Sequence, residues 1–351
     1  DIAREIDLIE EIIRLYNYEK LEAKFETSIS FGGSPLPERL RPLPLREDIR
    51  RWLVSNGFFE IITQNQIDPA TAALHTEDPV RIANPLGEEL SVMRPSAGPS
   101  ALRVAEKNFR INNYNLRLFE IGRIFEKCDE REDTFIPGIR ERHQLMIAIT
   151  GQLSPMQWGA PEREVDFYDI RGVAEDLIEF LHLESLKLKA VDADDPLFSK
   201  NSLAIIKKKM PIGRLGQIRR EILEKFDIKN NIYMILLDFE EFVSAPVKPN
   251  KYTPVSPFPP VTRDLAFVAD KDAPAGDIEN LIAQTGGKLL AGVRLFDVYT
   301  GKSVGDGRKS LAYALEFSST ERTLKDKEVD KIVKKIVKEV ENKFNAKLRE
   351  F

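Results

Sequence analysis

Six prolines fall within the sixteen residues 246–261: Pro246, Pro249, Pro254, Pro257, Pro259 and Pro260. The proline ring fixes φ and removes an amide donor, so such a segment enters neither a helix interior nor a central strand. It is a stiff, extended linker, and the residues on either side of it must build separate cores. A chain of 351 residues, 42% hydrophobic, has the length and the apolar material for two or three of them.

After the linker, the pattern predicts a strand over 262–269, a helix over 275–284 and strands over 291–299 and 308–318. A long helix over 326–345 and a short strand over 346–350 follow. The order βαββαβ is the ferredoxin-like arrangement, which RNA-recognition modules commonly share. The long helix has an apolar stripe of Val329, Ile332, Val333, Ile336, Val337, Val340 and Phe344. Its polar face carries Lys331, Lys334, Lys335 and Lys338, interrupted by Asp330, Glu339 and Glu341. A mixed-sign face of this kind is usually just solvated.

Before the linker, residues 2–15 read as a helix that Asn17 can stop, and 32–44 as a Gly- and Pro-rich connection. A helix over 45–56 and a strand over 58–66 follow. Strands are predicted over 116–125, 144–150, 202–206 and 232–239, and helices over 100–112, 170–181 and 218–226. The mixture implies an α+β fold with a mainly antiparallel sheet. The first helix is too short to bury a core of its own and reads as the end of a preceding domain.

Composition excludes several functions. The single cysteine, Cys128, rules out an internal disulfide and a thiolate zinc cage, and the three histidines form no His-Glu-x-x-His pair. No Asn-x-Ser/Thr sequon occurs, which with the cysteine usage suits a reducing cytoplasm. No run of 18 apolar residues is long enough to cross a membrane. The net charge of −5 is not that of a uniformly basic nucleic-acid binder. Residues 250–351 nevertheless hold 18 Lys/Arg against 15 Asp/Glu, so a nucleic-acid hypothesis belongs to the C-terminal third. Gly301-Lys302-Ser303 lacks the earlier glycine of a phosphate-binding loop, and Gly305-Asp306-Gly307 reads as a hairpin turn.

Two clusters could carry chemistry. Asp7, Glu10 and Glu11 share one helix face, with Asp1 before them. Clustered carboxylates repel unless a cation compensates, and Mg²⁺ suits oxygen-only ligands; the alternative is an ordinary acidic first turn. In the C-terminal module, Arg294, Phe296, Tyr299, Ser310, Tyr313 and Phe317 lie on two inner strands. Rings on an open sheet face stack unpaired bases, and rings in strands also pack against helices. Strict alternation puts Asp297 and Tyr299 on one face and Arg294, Phe296 and Val298 on the other, which makes Phe296 a core residue.

Several separated blocks also resemble a known family. Glu5-Ile6-Asp7-Leu8-Ile9-Glu10-Glu11-Ile12 with Arg14-Leu15-Tyr16 opens the series. Asn84-Pro85-Leu86, Met93-Arg94 and Leu116-Arg117-Leu118-Phe119-Glu120-Ile121-Gly122 come next. Asp166-Phe167-Tyr168-Asp169 and Ile212-Gly213 follow. Arg263-Asp264, Leu295-Phe296-Asp297-Val298-Tyr299 with Gly301, Lys309-Ser310-Leu311 and Arg322-Thr323-Leu324 complete it. In this order and spacing the chain resembles the C-terminal half of the bacterial phenylalanyl-tRNA synthetase β subunit.

The resemblance implies a remnant of a helical domain over 1–27 and a catalytically inactive, class II synthetase-like antiparallel core over 28–245. After the linker it implies a ferredoxin-fold anticodon-binding domain over 262–351. It further implies a complex of two α and two β chains, in which the α subunit binds ATP and phenylalanine and this chain alone is inactive. It places Mg²⁺ at the α-subunit boundary on Asp1, Asp7, Glu10 and Glu11, and tRNA(Phe) anticodon contact at Tyr299, Ser310 and Arg294. Asn17 stands where the family has a glycine, and Pro95, Ala97 and Gly98 depart from it near Met93-Arg94. Two rival readings are a single-chain organellar-type synthetase, which needs class II nucleotide-binding arginines not found here, and an RNA-binding module with no synthetase partner.

Overall fold

The computed structural model describes residues 4–20, 42–132, 134–159, 161–191, 194–249, 252, 256–301 and 304–349, with side chains of the second segment from residue 45. Asp1, the Gly/Pro-rich stretch up to residue 41 and much of the proline-rich linker lie outside these. The chain divides into two compact units, one ending at Pro249 and the other starting at Asn250.

The first unit begins with α1 (Glu5–Tyr16) and α2 (Pro42–Ser55). β1 (Phe59–Glu60), β2 (Gln66–Ile67), α3 (Pro69–Ala72), β3 (Val92–Met93) and α4 (Gly98–Phe109) follow. Then come β4 (Leu116–Lys127), β5 (Ile139–Thr150), α5 (Phe167–Phe180), β6 (Leu186–Ala190), β7 (Phe198–Lys207), β8 (Met210–Ile218), α6 (Arg220–Lys225), β9 (Ile232–Asp238) and α7 (Phe239–Val243). Seven strands form one sheet in the order β1-β4-β5-β9-β8-β7-β6, antiparallel except for the β1–β4 pair. This is the α+β, mainly antiparallel core that the sequence predicts.

β9 reads Ile-Tyr-Met-Ile-Leu-Leu-Asp, and all six apolar residues are buried because layers cover both sheet faces. On one face Leu145, Ile147, Ile235 and Leu237 pack against Ile170, Ala174 and Leu177 of α5. On the other, Leu116, Leu118, Ala148 and Met234 pack against Ala101, Leu102 and Ala105 of α4. The α5 N-terminus is closed by the Asp166-Phe167-Tyr168-Asp169 block. Asp166 accepts from the amides of Tyr168 and Asp169 (2.7 and 3.2 Å), and Asp169 accepts from the Asp166 amide (2.7 Å).

Two expectations change. The strand predicted over 58–66 is only Phe59–Glu60, followed by extended chain before β2. That chain is instead held by a buried ion pair. Arg94 is fully buried and Glu120 nearly so. They pair through two bonds of 2.8 and 3.2 Å, while Arg94 Nε donates to the Arg123 carbonyl (2.8 Å). Thr63 donates its hydroxyl to Glu120 (2.7 Å). Gly122 leaves the space that the guanidinium fills, since a Cβ there would collide with Arg94. The second change is that β6 joins the sheet, while β8 covers the Ile212-Gly213 block and leads into α6, as the strand, turn and helix reading of residues 213–219 expects. α1 buries none of its residues against the described chain.

The second unit is β10 (Val261–Asp270), α8 (Ala275–Gly286), β11 (Leu290–Tyr299), β12 (Arg308–Phe317), α9 (Asp326–Phe344) and β13 (Lys347–Leu348). Its sheet order is β11-β12-β10-β13, all antiparallel, which is the predicted βαββαβ fold. Among the described residues of either unit no helix is long and apolar enough to cross a membrane.

Candidate nucleic-acid interface

Both helices of the second unit cover one face of its sheet. Leu265 and Phe267 of β10 and Leu311, Tyr313, Leu315 and Phe317 of β12 bury against Ile278, Ile282, Val329, Ile336 and Val340. The Tyr313 hydroxyl donates to the Ala275 carbonyl (2.9 Å), and burial pushes its pKa well above the usual phenol value. Tyr313 and Phe317 therefore belong to the core.

Directly opposed residues of an antiparallel pair point to the same side, so the register assigns the other face. Arg294 opposes Ala314, Asp297 opposes Ala312 and Tyr299 opposes Ser310. On β10, Asp264, Ala266 and Val268 oppose the same three β12 residues. Among the described residues, no helix of the unit covers this face.

The alternation expected for β11 is corrected here. A bulge between Leu295 and Asp297 inserts one residue into the ladder. Leu295 packs towards the core and Phe296, expected inside, is 50% exposed. The bulge also brings Arg294 to the same face as Tyr299, where strict alternation separates them. The predicted pair of a guanidinium and a stacking ring thus shares one surface.

Tyr299 is 41% exposed and ends its strand. Gly301 makes room for it, because a Cβ there would run into the ring and hydroxyl. The Arg349 guanidinium lies 5.9 Å from the ring centroid. Arg349 follows β13 and donates its amide to the Ala266 carbonyl (2.8 Å), so it reaches the ring from the far edge of the sheet. Sequence reasoning missed Arg349, since nothing in spacing connects it with a residue fifty positions earlier. Ser310 lies on the same face, between Tyr299 and Val268, but only 4% of it is exposed. Its hydroxyl is therefore not open to solvent in this conformation.

The α9 lysines stand elsewhere. The apolar stripe of α9 faces the sheet, so exposed Lys331, Lys334, Lys335 and Lys338 project away from it, on the helix side. Arg263 pairs with Asp326 (2.7 Å) and Asp330 (3.2 Å), and Arg322 with Glu328 (2.8 Å). These motif arginines tie α9 in place.

The acidic set on α1 is engaged locally. Asp7 accepts from the Arg4 amide (2.9 Å) and pairs with its side chain, and Glu11 pairs with Arg14 (2.7 Å). No group of three or more His, Cys, Asp or Glu among the described residues is placed to hold a metal ion. The described carboxylates do not by themselves make a magnesium site, and Asp1 lies outside the described residues. Arg219, at the end of the glycine-containing β8, donates to the Phe198 carbonyl (2.9 Å) and pairs with Asp194.

The comparisons with known proteins agree with this two-part reading. The family described as "Phenylalanyl tRNA synthetase beta chain CLM domain" matches residues 36–239, and "Ferredoxin-fold anticodon binding domain" matches residues 256–349. The phenylalanine–tRNA ligase beta subunit of Syntrophotalea carbinolica is 33% identical over 338 residues, covering 94% of this chain and 41% of that protein. The beta subunit of Hahella chejuensis is 35% identical over 357 residues, covering 99% of this chain and 42% of that one. The chain thus spans about two fifths of the length of these curated relatives. Each matched region lies within one of the two compact units, and the chain belongs to the phenylalanyl-tRNA synthetase β-chain family.

Proposed function

We propose that the chain works as the C-terminal portion of a phenylalanine–tRNA ligase β subunit. Residues 262–351 contact the anticodon of tRNA(Phe), and the first unit serves as scaffold and as contact for an α subunit in a complex of two α and two β chains. ATP-dependent aminoacylation belongs to the α subunit, in the cytoplasm, and this chain has no such activity alone. The observation that carries the reading is the helix-free face holding Tyr299 and Arg294 around small residues. A ring stacks on any base and a guanidinium holds phosphate, and the small, partly exposed Ala314 lies beside Arg294 on the same face.

The test is binding of the chain to tRNA(Phe) and to the same tRNA with an exchanged anticodon, across a salt series. The expected result is tighter binding of the native anticodon at every salt concentration. Equal binding of both, lost together as salt rises, reduces the contact to phosphate attraction and removes the anticodon role.

The magnesium reading is supported by the resemblance alone. It needs Asp1 and the release of Asp7 and Glu11 from Arg4 and Arg14. Calorimetric titration of the chain with MgCl₂ checks it: saturable heat that Glu11→Ala abolishes is expected, and no heat removes the site.

A further inference from the structure

The outer face of α9 sorts its charges. With 3.6 residues per turn, Lys327, Lys331, Lys334, Lys335 and Lys338 fall within an arc of about 100°, together with Asn342. All six are exposed, and the arc lies opposite Val329, Ile336 and Val340, which are buried against the sheet. No carboxylate of the helix falls within it. Asp326 and Asp330 are held by Arg263 and Glu328 by Arg322, while Glu341 accepts from the Leu348 amide (3.1 Å). Glu339 stands at the edge of the arc. Among the described residues, none of the five lysines forms an ion pair. The face that reads as mixed-sign in the sequence is therefore a crest of uncompensated lysine, with its acids turned to the flanks.

This arrangement works against the helix. Lys327 with Lys331, Lys331 with Lys335 and Lys334 with Lys338 are like charges at i,i+4, a spacing at which they repel and at which a glutamate partner would attract. What it provides is a straight row of point cations, about 16 Å long from Lys327 to Lys338. The chemistry of the row selects among polyanions. It presents no exposed aromatic or apolar side chain. A protein interface is anchored by aromatic and aliphatic groups, and unpaired bases are held by rings. A helix lying in a membrane surface inserts its apolar face, which in α9 is buried against the sheet. Phosphates fixed along a stiff double strand need only charge in a line, which lysine supplies. Double-stranded RNA is recognised in this way, through shape and backbone contacts.

We propose that the lysine crest of α9 binds the phosphate backbone of a base-paired RNA stem, independently of its sequence. It is a second RNA surface of this unit, on the side of the sheet opposite Tyr299 and Arg294, and it requires no unpaired base.

The test uses the whole chain and a blunt-ended RNA duplex of about 20 base pairs, which offers no unpaired base to Tyr299. Fluorescence anisotropy gives Kd across a salt series for the parent chain and for the triple variant Lys331→Gln, Lys334→Gln, Lys338→Gln. A second triple variant, Lys187→Gln, Lys189→Gln, Lys229→Gln, removes the same charge from exposed positions of the first unit. Glutamine keeps helix propensity close to that of lysine, and circular dichroism establishes that both variants fold. The α9 triple is expected to bind about tenfold more weakly at low salt, with a salt slope lower by about two to three, while the first-unit triple matches the parent. No duplex binding by the parent chain overturns the proposal. So does an α9 triple that binds like the parent, or a first-unit triple that is weakened as much or more. Single-stranded RNA of the same length, polyglutamate or phosphatidylglycerol vesicles that bind more tightly than the duplex, and lose that binding in the α9 triple, assign the crest to another polyanion and overturn it as well.

Discussion

Replacing Arg94 with alanine is expected to destabilise the first unit by about 3–5 kcal/mol, the usual cost of breaking a buried ion pair from one side. The reason is the partner left behind. Glu120 would keep its place in β4, nearly inaccessible to water, with only the Thr63 hydroxyl and a long bond from the Thr63 amide (3.3 Å) for support. The Arg123 carbonyl would lose its donor as well. Arg94→Met with Glu120→Leu removes both charges and keeps most of the volume, so the double variant should lose far less than the single one. Both tryptophans, Trp52 and Trp158, lie in the first unit. Urea unfolding followed by tryptophan fluorescence therefore reports that unit alone, which matters because a two-unit chain has no single unfolding free energy. A loss below about 1 kcal/mol for Arg94→Ala would mean that water reaches the pair and that it is not a buried anchor.

Removal of the Tyr299 ring is expected to weaken tRNA(Phe) binding by about 1–3 kcal/mol, roughly 5- to 150-fold in Kd. Tyr299→Phe keeps the stacking plane and should stay close to the parent chain. The salt dependence separates this effect from simple charge loss. Tyr299→Ala removes no positive charge, so its salt slope should match the parent's, whereas Arg294→Ala should lower the slope by about one. Because Tyr299 is partly exposed and outside the helix-side core, the variant should fold normally. Unchanged affinity in Tyr299→Ala, with normal circular dichroism, would move the contact off this face.

Much of the fold was legible because its elements have clean periods. α9 has a helical stripe, β12 alternates from Leu311 to Phe317, and β9 is apolar throughout. The linker was legible because proline has a single mechanical meaning. What stayed hidden depends on partners distant in the chain. Arg94 and Glu120 stand out in the sequence as parts of two recognisable blocks, yet nothing local states that residues 26 positions apart form one buried pair. The same holds for Arg349 at Tyr299. Ser310 could be assigned to the correct face from its strand, but not its burial, which depends on the neighbours across two ladders.

The bulge in β11 follows from the spacing of three residues. Val293, Leu295 and Val298 oppose Leu315, Tyr313 and Leu311, all on the helix side. Their intervals are two and then three, so no flat ribbon can turn all three inward. The extra residue at 296 is a phase slip that reconciles them. Upstream of it, even-numbered positions point to the helix-free face; downstream, odd-numbered ones do. The exposed surface therefore draws Arg294 from one parity and Asp297 and Tyr299 from the other. An inventory of this strand by position parity would split a single surface into two halves and attach one of them to the hydrophobic interior.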